Sequence, residues 1–353
     1  MTEAIYERLA KHLDGLPGGF PRSDTGVELR ILRRLFTEEE AELTIQLSMR
    51  PEPAAKIAKR LEREPEQIAQ LLDAMSRKGL IFRIDKTGTP AYSASQYVVG
   101  IWEYHVKDLD PELIKDMNEY LPTLFDMEVW KKAPQLRTIP VGESVFQSRD
   151  ILPYEEIRTL VKSRSKIAVA PCICRREHNM IGEGCGRPEE SCLVFGRAAD
   201  YYIGNGTGRE ITVEEALAIL EEAEKNALVL QPSNSQNIIN VCTCCGCCCQ
   251  VLKAYKRHPN PASIVSTPFK LEVISEDCAG CGDCIERCQM DALWLEDNVI
   301  AHDERRCIGC GLCTTVCPSD CLHLVRKSEE ELKSIPPTMF DTYVEIVKAR
   351  GGD

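Results

Sequence analysis

The residues with the most chemistry in them are cysteines. The 353-residue chain holds 19, and every one lies after residue 171. Two runs repeat. CAGCGDCIERC supplies Cys278, Cys281, Cys284 and Cys288; CIGCGLCTTVCP supplies Cys307, Cys310, Cys313 and Cys317, each 29 residues after its counterpart. A third group, Cys172, Cys174, Cys185 and Cys192, has irregular gaps, and CTCCGCCC packs Cys242, Cys244, Cys245, Cys247, Cys248 and Cys249 into eight residues. The first 30 residues mix charges throughout and hold no apolar core of a secretory signal, so the expected compartment is the reducing cytoplasm. There, clustered thiols are metal ligands rather than disulfides, and an odd total with adjacent cysteines defeats complete pairing as well. The metals open to them are iron–sulfur clusters and tetrahedral zinc.

Both repeated runs read C-x-x-C-x-x-C-x-x-x-C. Thiolates three residues apart can wrap one iron–sulfur cube, with Gly280, Gly282, Gly309 and Gly311 relieving the tight backbone and turning N–H groups toward sulfur. Zinc needs only C-x-x-C pairs, so a doubled run of four at fixed period points to iron. Between the runs, ALWLEDNVIAH predicts a hairpin turning at Glu296–Asp297–Asn298. Residues 271–326 therefore resemble the bacterial ferredoxin domain that holds two 4Fe–4S clusters. The resemblance implies one cluster on Cys278, Cys281, Cys284 and Cys317 and another on Cys288, Cys307, Cys310 and Cys313. The fourth cysteine of each run is expected to start a helix aimed at the other cube. Gln289 departs from the pattern, standing where proline often follows. Cys321 occupies the repeat position of Ala292 and is expected to be a small packed residue.

The ten middle cysteines leave the metal open. Four ligands can be drawn from each group, which allows one or two further iron–sulfur clusters, zinc, or redox thiols. Six neighbouring thiols without metal would be an oxidation hazard, which favours metal. His178, four residues after Cys174, is a candidate ligand, though a surface or supporting imidazole is the simpler role. Arg175, Arg176 and Arg187 flank these cysteines and either offset thiolate charge or stay solvated. Glu221, Glu222 and Glu224 read as the outer face of a helix. No catalytic residue is assigned: Ser–His–Asp, paired-carboxylate and zincin patterns are all missing from the sequence.

The elements that must position these residues follow from composition and periodicity. Hydrophobic content of 43% with 28% charged residues is an ordinary globular balance, and the length allows two or three domains. No apolar run approaches the length of a membrane span. The expected fold is α+β and multidomain: a helical, winged-helix-like domain over 1–130, a Cys-rich α/β domain over 131–270, the ferredoxin-like domain over 271–326, and a tail over 327–353. In the first, PAAKIAKRLER carries Ala54, Ile57, Ala58 and Leu61 at helical spacing, and Pro65 restarts a helix with Ile68, Leu71, Leu72 and Met75 on one face, closing at Gly79. LIFRID, a turn at Lys86–Gly88 and PAYSAS then read as a hairpin, and that order of elements resembles a winged-helix domain. In the second, a helix at 154–164 leads into KIAVAPCIC as a strand delivering Cys172 and Cys174. A helix over 212–226 with Thr212 and Glu215 as capping box precedes LVL, which returns to the same sheet. IGNGTG at 203–208 lacks the features of a phosphate-binding loop and reads as a plain loop. In the tail, Pro336 and Pro337 precede an amphipathic helix beginning near Thr338 and stopping at Gly351.

A net charge of −12 repels phosphate, and the second winged-helix helix offers Gln67, Gln70, Arg77 and Lys78 against Glu64, Glu66 and Asp73, so nucleic acid is not the expected partner. The sequence reads as an iron–sulfur electron carrier serving a redox partner, a flavoprotein or metalloenzyme, in anaerobic metabolism, with the N-terminal part and tail as docking elements. Two alternatives stand beside it: a redox-responsive transcription regulator using the winged helix, and an iron–sulfur subunit of an oxidoreductase.

Overall fold

In the computed structural model, residues 2–86, 88–142, 152 and 155–352 are described. By compactness the chain forms two units, Met1–Phe125 with Arg197–Arg209, and Asp126–Gly196 with Glu210–Asp353. Compactness thus groups the residues differently from composition. The Cys-rich, ferredoxin-like and tail segments share one unit, and a piece of the middle segment joins the N-terminal unit.

In the first unit, helices Thr2–Asp14, Val27–Leu35 and Glu38–Ile45 pack Leu9, Leu13, Ile31 and Leu32 out of solvent entirely. Thr37 and Glu40 close a reciprocal capping box at the third helix. The helix, helix, hairpin order follows: Ala54–Leu61, Pro65–Arg77, then strands Ile81–Lys86 and Thr89–Ala94, with Glu52–Pro53 pairing along the outer edge of the last strand. Thr87, inside the expected turn, lies outside the described residues. Ile57, Ala58, Ile68, Leu72 and Met75 are buried as the periodicity requires. Gly79 ends the second helix at φ 85°, where a Cβ would stand 2.9 Å from the Tyr104 Cβ. Helix Arg197–Gly204 completes this core: the Tyr201 hydroxyl reaches the Ser76 and Ile81 carbonyls at 2.9 Å, and its ring lies against Phe82 and Tyr104. Part of IGNGTG therefore continues a helix through Gly204 before it turns.

The second unit is built on a five-stranded sheet in the order Arg209–Glu210, Ile167–Pro171, Glu190–Phe195, Asn240–Cys244, Val229–Pro232. The three central pairings are antiparallel, so the α/β alternation expected for this region does not give a parallel sheet. The reason is that helix Ile173–Met180 is followed by a loop that brings the chain back alongside the strand it just left, without a crossover. The strand expected to deliver Cys172 and Cys174 stops at Pro171; Cys172 becomes the N-cap, and Cys174 lies in the first turn, of that helix. Of the helix expected at 154–164, Ile157–Lys162 is helical, while 153–154 lie outside the described residues. Helix Val213–Lys225 is capped by the Thr212 hydroxyl, which accepts from the Glu215 N–H at 3.2 Å, and Val229–Pro232 does return to the sheet. Glu224 corrects the outer-face reading: it is buried, while Glu221 pairs with Arg158 and Glu222 accepts from Asn226.

In the ferredoxin-like segment, Phe269–Val273 pairs antiparallel with Leu322–Arg326, joining its two ends. The inner hairpin Leu293–Glu296 with Val299–His302 turns through Asp297 and Asn298 at φ 50° and 62°, the left-handed pair that a two-residue hairpin loop needs. The expected helices after the fourth cysteines are absent. Cys288 follows the short helix Asp283–Arg287 as its C-cap, and Cys317 follows a turn at Thr314–Val316. The tail helix runs Met339–Ala349 behind a Thr338–Asp341 capping box. Among the described residues no helix is long and apolar enough to cross a membrane.

Candidate metal centres

The irregular cysteines sort in space, across their sequence groups. Cys185, from the loop after helix Ile173–Met180, meets Cys245, Cys247 and Cys248, from the loop after strand Asn240–Cys244. All four Sγ atoms lie within 4.8 Å of one another, with Cys185–Cys245 at 3.9 Å and Cys247–Cys248 at 3.8 Å. Thiolates about 2.3 Å from one tetrahedral ion stand about 3.8 Å apart, so this donor set fits a single zinc or iron ion. Burial raises the Cys185 thiol, but the Arg187 N–H and contacts with Cys248, Arg187 and Cys245 outweigh it and hold it at about 7. Burial pushes Cys245 up to about 11. The Arg187 side chain donates to Cys247 Sγ at 3.5 Å.

Gly246, in the same loop, donates its N–H to Gln289 Oε1 at 2.8 Å, and a Cβ there would stand 2.2 Å from the Gln289 carbonyl oxygen. Gln289 directly follows Cys288. A proline at that place could not reach the Gly246 amide, so the departure from the ferredoxin pattern is what ties the two cysteine regions together.

The other six middle cysteines form a chain of contacts: Cys172 to Cys174, Cys174 to Cys249, Cys249 to Cys244, Cys244 to Cys242, and Cys242 to Cys192. Cys242 and Cys244 share one face of their strand, and Cys249 caps helix Gln250–Arg257. Arg175, 1% exposed, stands between the two sets, its charge felt by Cys172, Cys245 and Cys244, and it donates to the Thr243 carbonyl at 2.8 Å and to Ser191 Oγ. His178 is buried rather than on the surface, and both ring nitrogens are engaged, Nδ1 with the Cys174 carbonyl at 2.8 Å and Nε2 with Lys253 Nζ at 2.7 Å. That leaves it no lone pair for a metal. Arg176 pairs with Glu189 at 2.6 Å.

The repeated cysteines neighbour one another across the two runs. Burial pushes Cys284 up to about 11, and the charges adding to this come from Cys281, Cys317 and Cys278. Burial pushes Cys310 up to about 12 and Cys313 up as well, with Cys307 and Cys288 as neighbours of both and Cys284 as a further neighbour of Cys313. Thiols so disfavoured as anions need a cation to become ligands, which an iron centre supplies. Backbone N–H groups already face the sulfurs: Gly280 and Ile300 donate to Cys278 Sγ at 3.4 and 3.3 Å, and Ala292 donates to Cys288 Sγ at 3.3 Å. Gly309 sits at φ 64° with room for no Cβ, since one would stand 2.2 Å from the Phe269 carbonyl oxygen. Cys321 is buried in the same small core, its N–H donating to Cys317 Sγ at 3.4 Å.

Residues 272–324 match the family of 4Fe–4S dicluster domains. The chain carries an iron–sulfur domain. No curated protein and no solved structure matches it. The dicluster match and the tight cysteine set together make this a metal-binding, iron–sulfur protein.

Proposed function

We propose that the protein carries electrons between redox partners, through one cluster on Cys278, Cys281, Cys284 and Cys317 and a second on Cys288, Cys307, Cys310 and Cys313. The observation that carries this reading is the cross-over of neighbours. Cys284 of the first run feels Cys317 of the second, while Cys313 of the second feels Cys288 of the first. Two interlocked clusters at such proximity form a short wire, and N–H groups aimed at sulfur tune its potential. A flavoprotein or metalloenzyme in the cytoplasm of an anaerobic cell fits as donor or acceptor, met through the acidic surface in transient encounters.

The helices and hairpin of the N-terminal unit keep a winged-helix order, and we assign them to protein docking. The cations at the end of the candidate reading helix favour this over DNA: Arg77 pairs with Asp73 at 2.8 Å and Lys78 with Glu40 at 2.7 Å. A shift assay with random duplex at low salt should show no binding, whereas salt-sensitive retardation would favour a regulator.

The test of the main reading is EPR during stepwise reduction of anaerobically purified protein. Two cluster signals are expected, with Cys284→Ser and Cys313→Ser each removing a different one. Colourless, iron-poor protein, or clusters that accept no electrons from a strong reductant, would overturn it.

A further inference from the structure

We propose that Cys172, Cys174, Cys192, Cys242, Cys244 and Cys249 hold an additional iron–sulfur cluster, one with more protein thiolates than the four that a cube takes. The inference stands on the second unit's own geometry and does not need the electron-carrier reading to hold.

Spacing gives the first argument. Among the described residues, the Cys185 set is the one group whose ligand atoms all close within 4.8 Å. The six cysteines touch in sequence around a chain, yet no three of them close that tightly; neither do the eight of the dicluster domain. Six sulfurs strung along such a chain cannot all ligate one tetrahedral ion, as the four of the Cys185 set can.

Placement gives the second. Two helices of eight residues each, Ile173–Met180 and Gln250–Arg257, begin at Cys172 and Cys249, so both place a positive end at these cysteines. Arg175 adds a buried full charge. An anionic thiolate-bound cluster is what such surroundings stabilise.

The third argument is independent of the sulfurs. The Tyr255 side chain is fully buried, and its hydroxyl has no hydrogen-bond partner. It faces Cys249 and Cys244, whose charges it feels most after burial itself. A buried hydroxyl without a partner marks a missing acceptor, and a cluster sulfide between these residues would be one. Six contacting thiols also exceed a cube's ligand count by two, which is why the proposal is a more richly ligated cluster.

Full-length protein, reconstituted anaerobically with iron and sulfide, is assayed for iron, zinc and acid-labile sulfide. Beyond the roughly eight irons of a dicluster domain, about four or more further irons with matching sulfide are expected. The Cys244→Ala/Cys249→Ala double variant should lose that increment alone and keep the dicluster signals. Tyr255→Phe, which removes one oxygen and keeps the packing, should keep the iron count and shift only the additional cluster's EPR signal or potential. The proposal is overturned if wild-type iron stops at about eight or nine, if the metal beyond the single ion of the Cys185 set is zinc, or if that surplus lacks sulfide. It also falls if the double variant keeps the increment, or if Tyr255→Phe leaves that signal unmoved. Failure of the electron-carrier reading would look different: the increment would remain while the dicluster accepted no electrons.

Discussion

The first unit has no cysteine and rests on a continuous apolar core, with Phe20 packed between Tyr97 and Tyr120 and ion pairs such as Arg30–Asp116 at its surface. The second holds all 19 cysteines and gathers them where a domain would otherwise bury Leu or Ile. In the dicluster segment sulfur shares the small core with hydrocarbon: Cys284, Cys313 and Cys321 are buried beside Leu271, Leu293, Ile300 and Leu322. A small segment with so little aliphatic volume cannot balance chain entropy by packing alone. The contrast teaches that one chain uses two sources of cohesion: hydrocarbon alone in the first unit, and in the second an aliphatic core, with Ile167, Val169, Leu193 and Val241 in it, joined by sulfur.

Stripping metal is the harshest way to break that contrast. A structural thiolate site contributes on the order of 10 kcal/mol to folding. Chelation under anaerobic conditions should therefore abolish hydrogen-exchange protection across the sheet and the dicluster segment, while helices Thr2–Asp14 and Pro65–Arg77 stay protected. Equal loss in both units would refute it. Gly309→Ala comes next. A side chain forced against the Phe269 carbonyl at left-handed φ should cost several kcal/mol and displace the Cys307–Cys310 turn. One cluster's EPR signal should then weaken while the other persists.

Gln289→Ala sharpens the comparison inside the second unit. It leaves the buried Gly246 N–H without an acceptor, a loss of about 1–3 kcal/mol, and should speed metal release from the Cys185 set, followed by a chromogenic chelator. The smallest effect is expected for Tyr201→Phe in the first unit. Losing the hydroxyl's contacts with Ser76 and Ile81 should cost about 1 kcal/mol in thermal unfolding, with cluster spectra unchanged.

What was legible in the sequence was local. The 29-residue repeat, the Asp297–Asn298 turn, the Thr338 cap and the faces of the 54–61 and 65–77 helices each depend on neighbours a few residues away. The middle cysteines depend on partners some 60 residues off, as Cys185 does on Cys245, and grouping them by segment mixes two centres. One signal was available: Cys242 and Cys244, two apart on a strand, had to share a face, whereas Cys245, Cys247 and Cys248 lie beyond the strand's end. Glu224 looked solvated because the residues that cover it come from distant loops, Arg287 among them, which binds its carbonyl at 2.7 Å. Gln289 looked like a lapse from the ferredoxin pattern until its bond to Gly246 gave it a purpose.

The excursion of Arg197–Arg209 into the first unit has a consequence for inheritance. Because that unit is completed by a helix encoded far downstream, a gene break after residue 125 would sever Tyr201 from Ser76 and Ile81 and deliver an unfinished protein. Only a break that carries Arg197–Arg209 along with residues 1–125 keeps the core of the first unit whole.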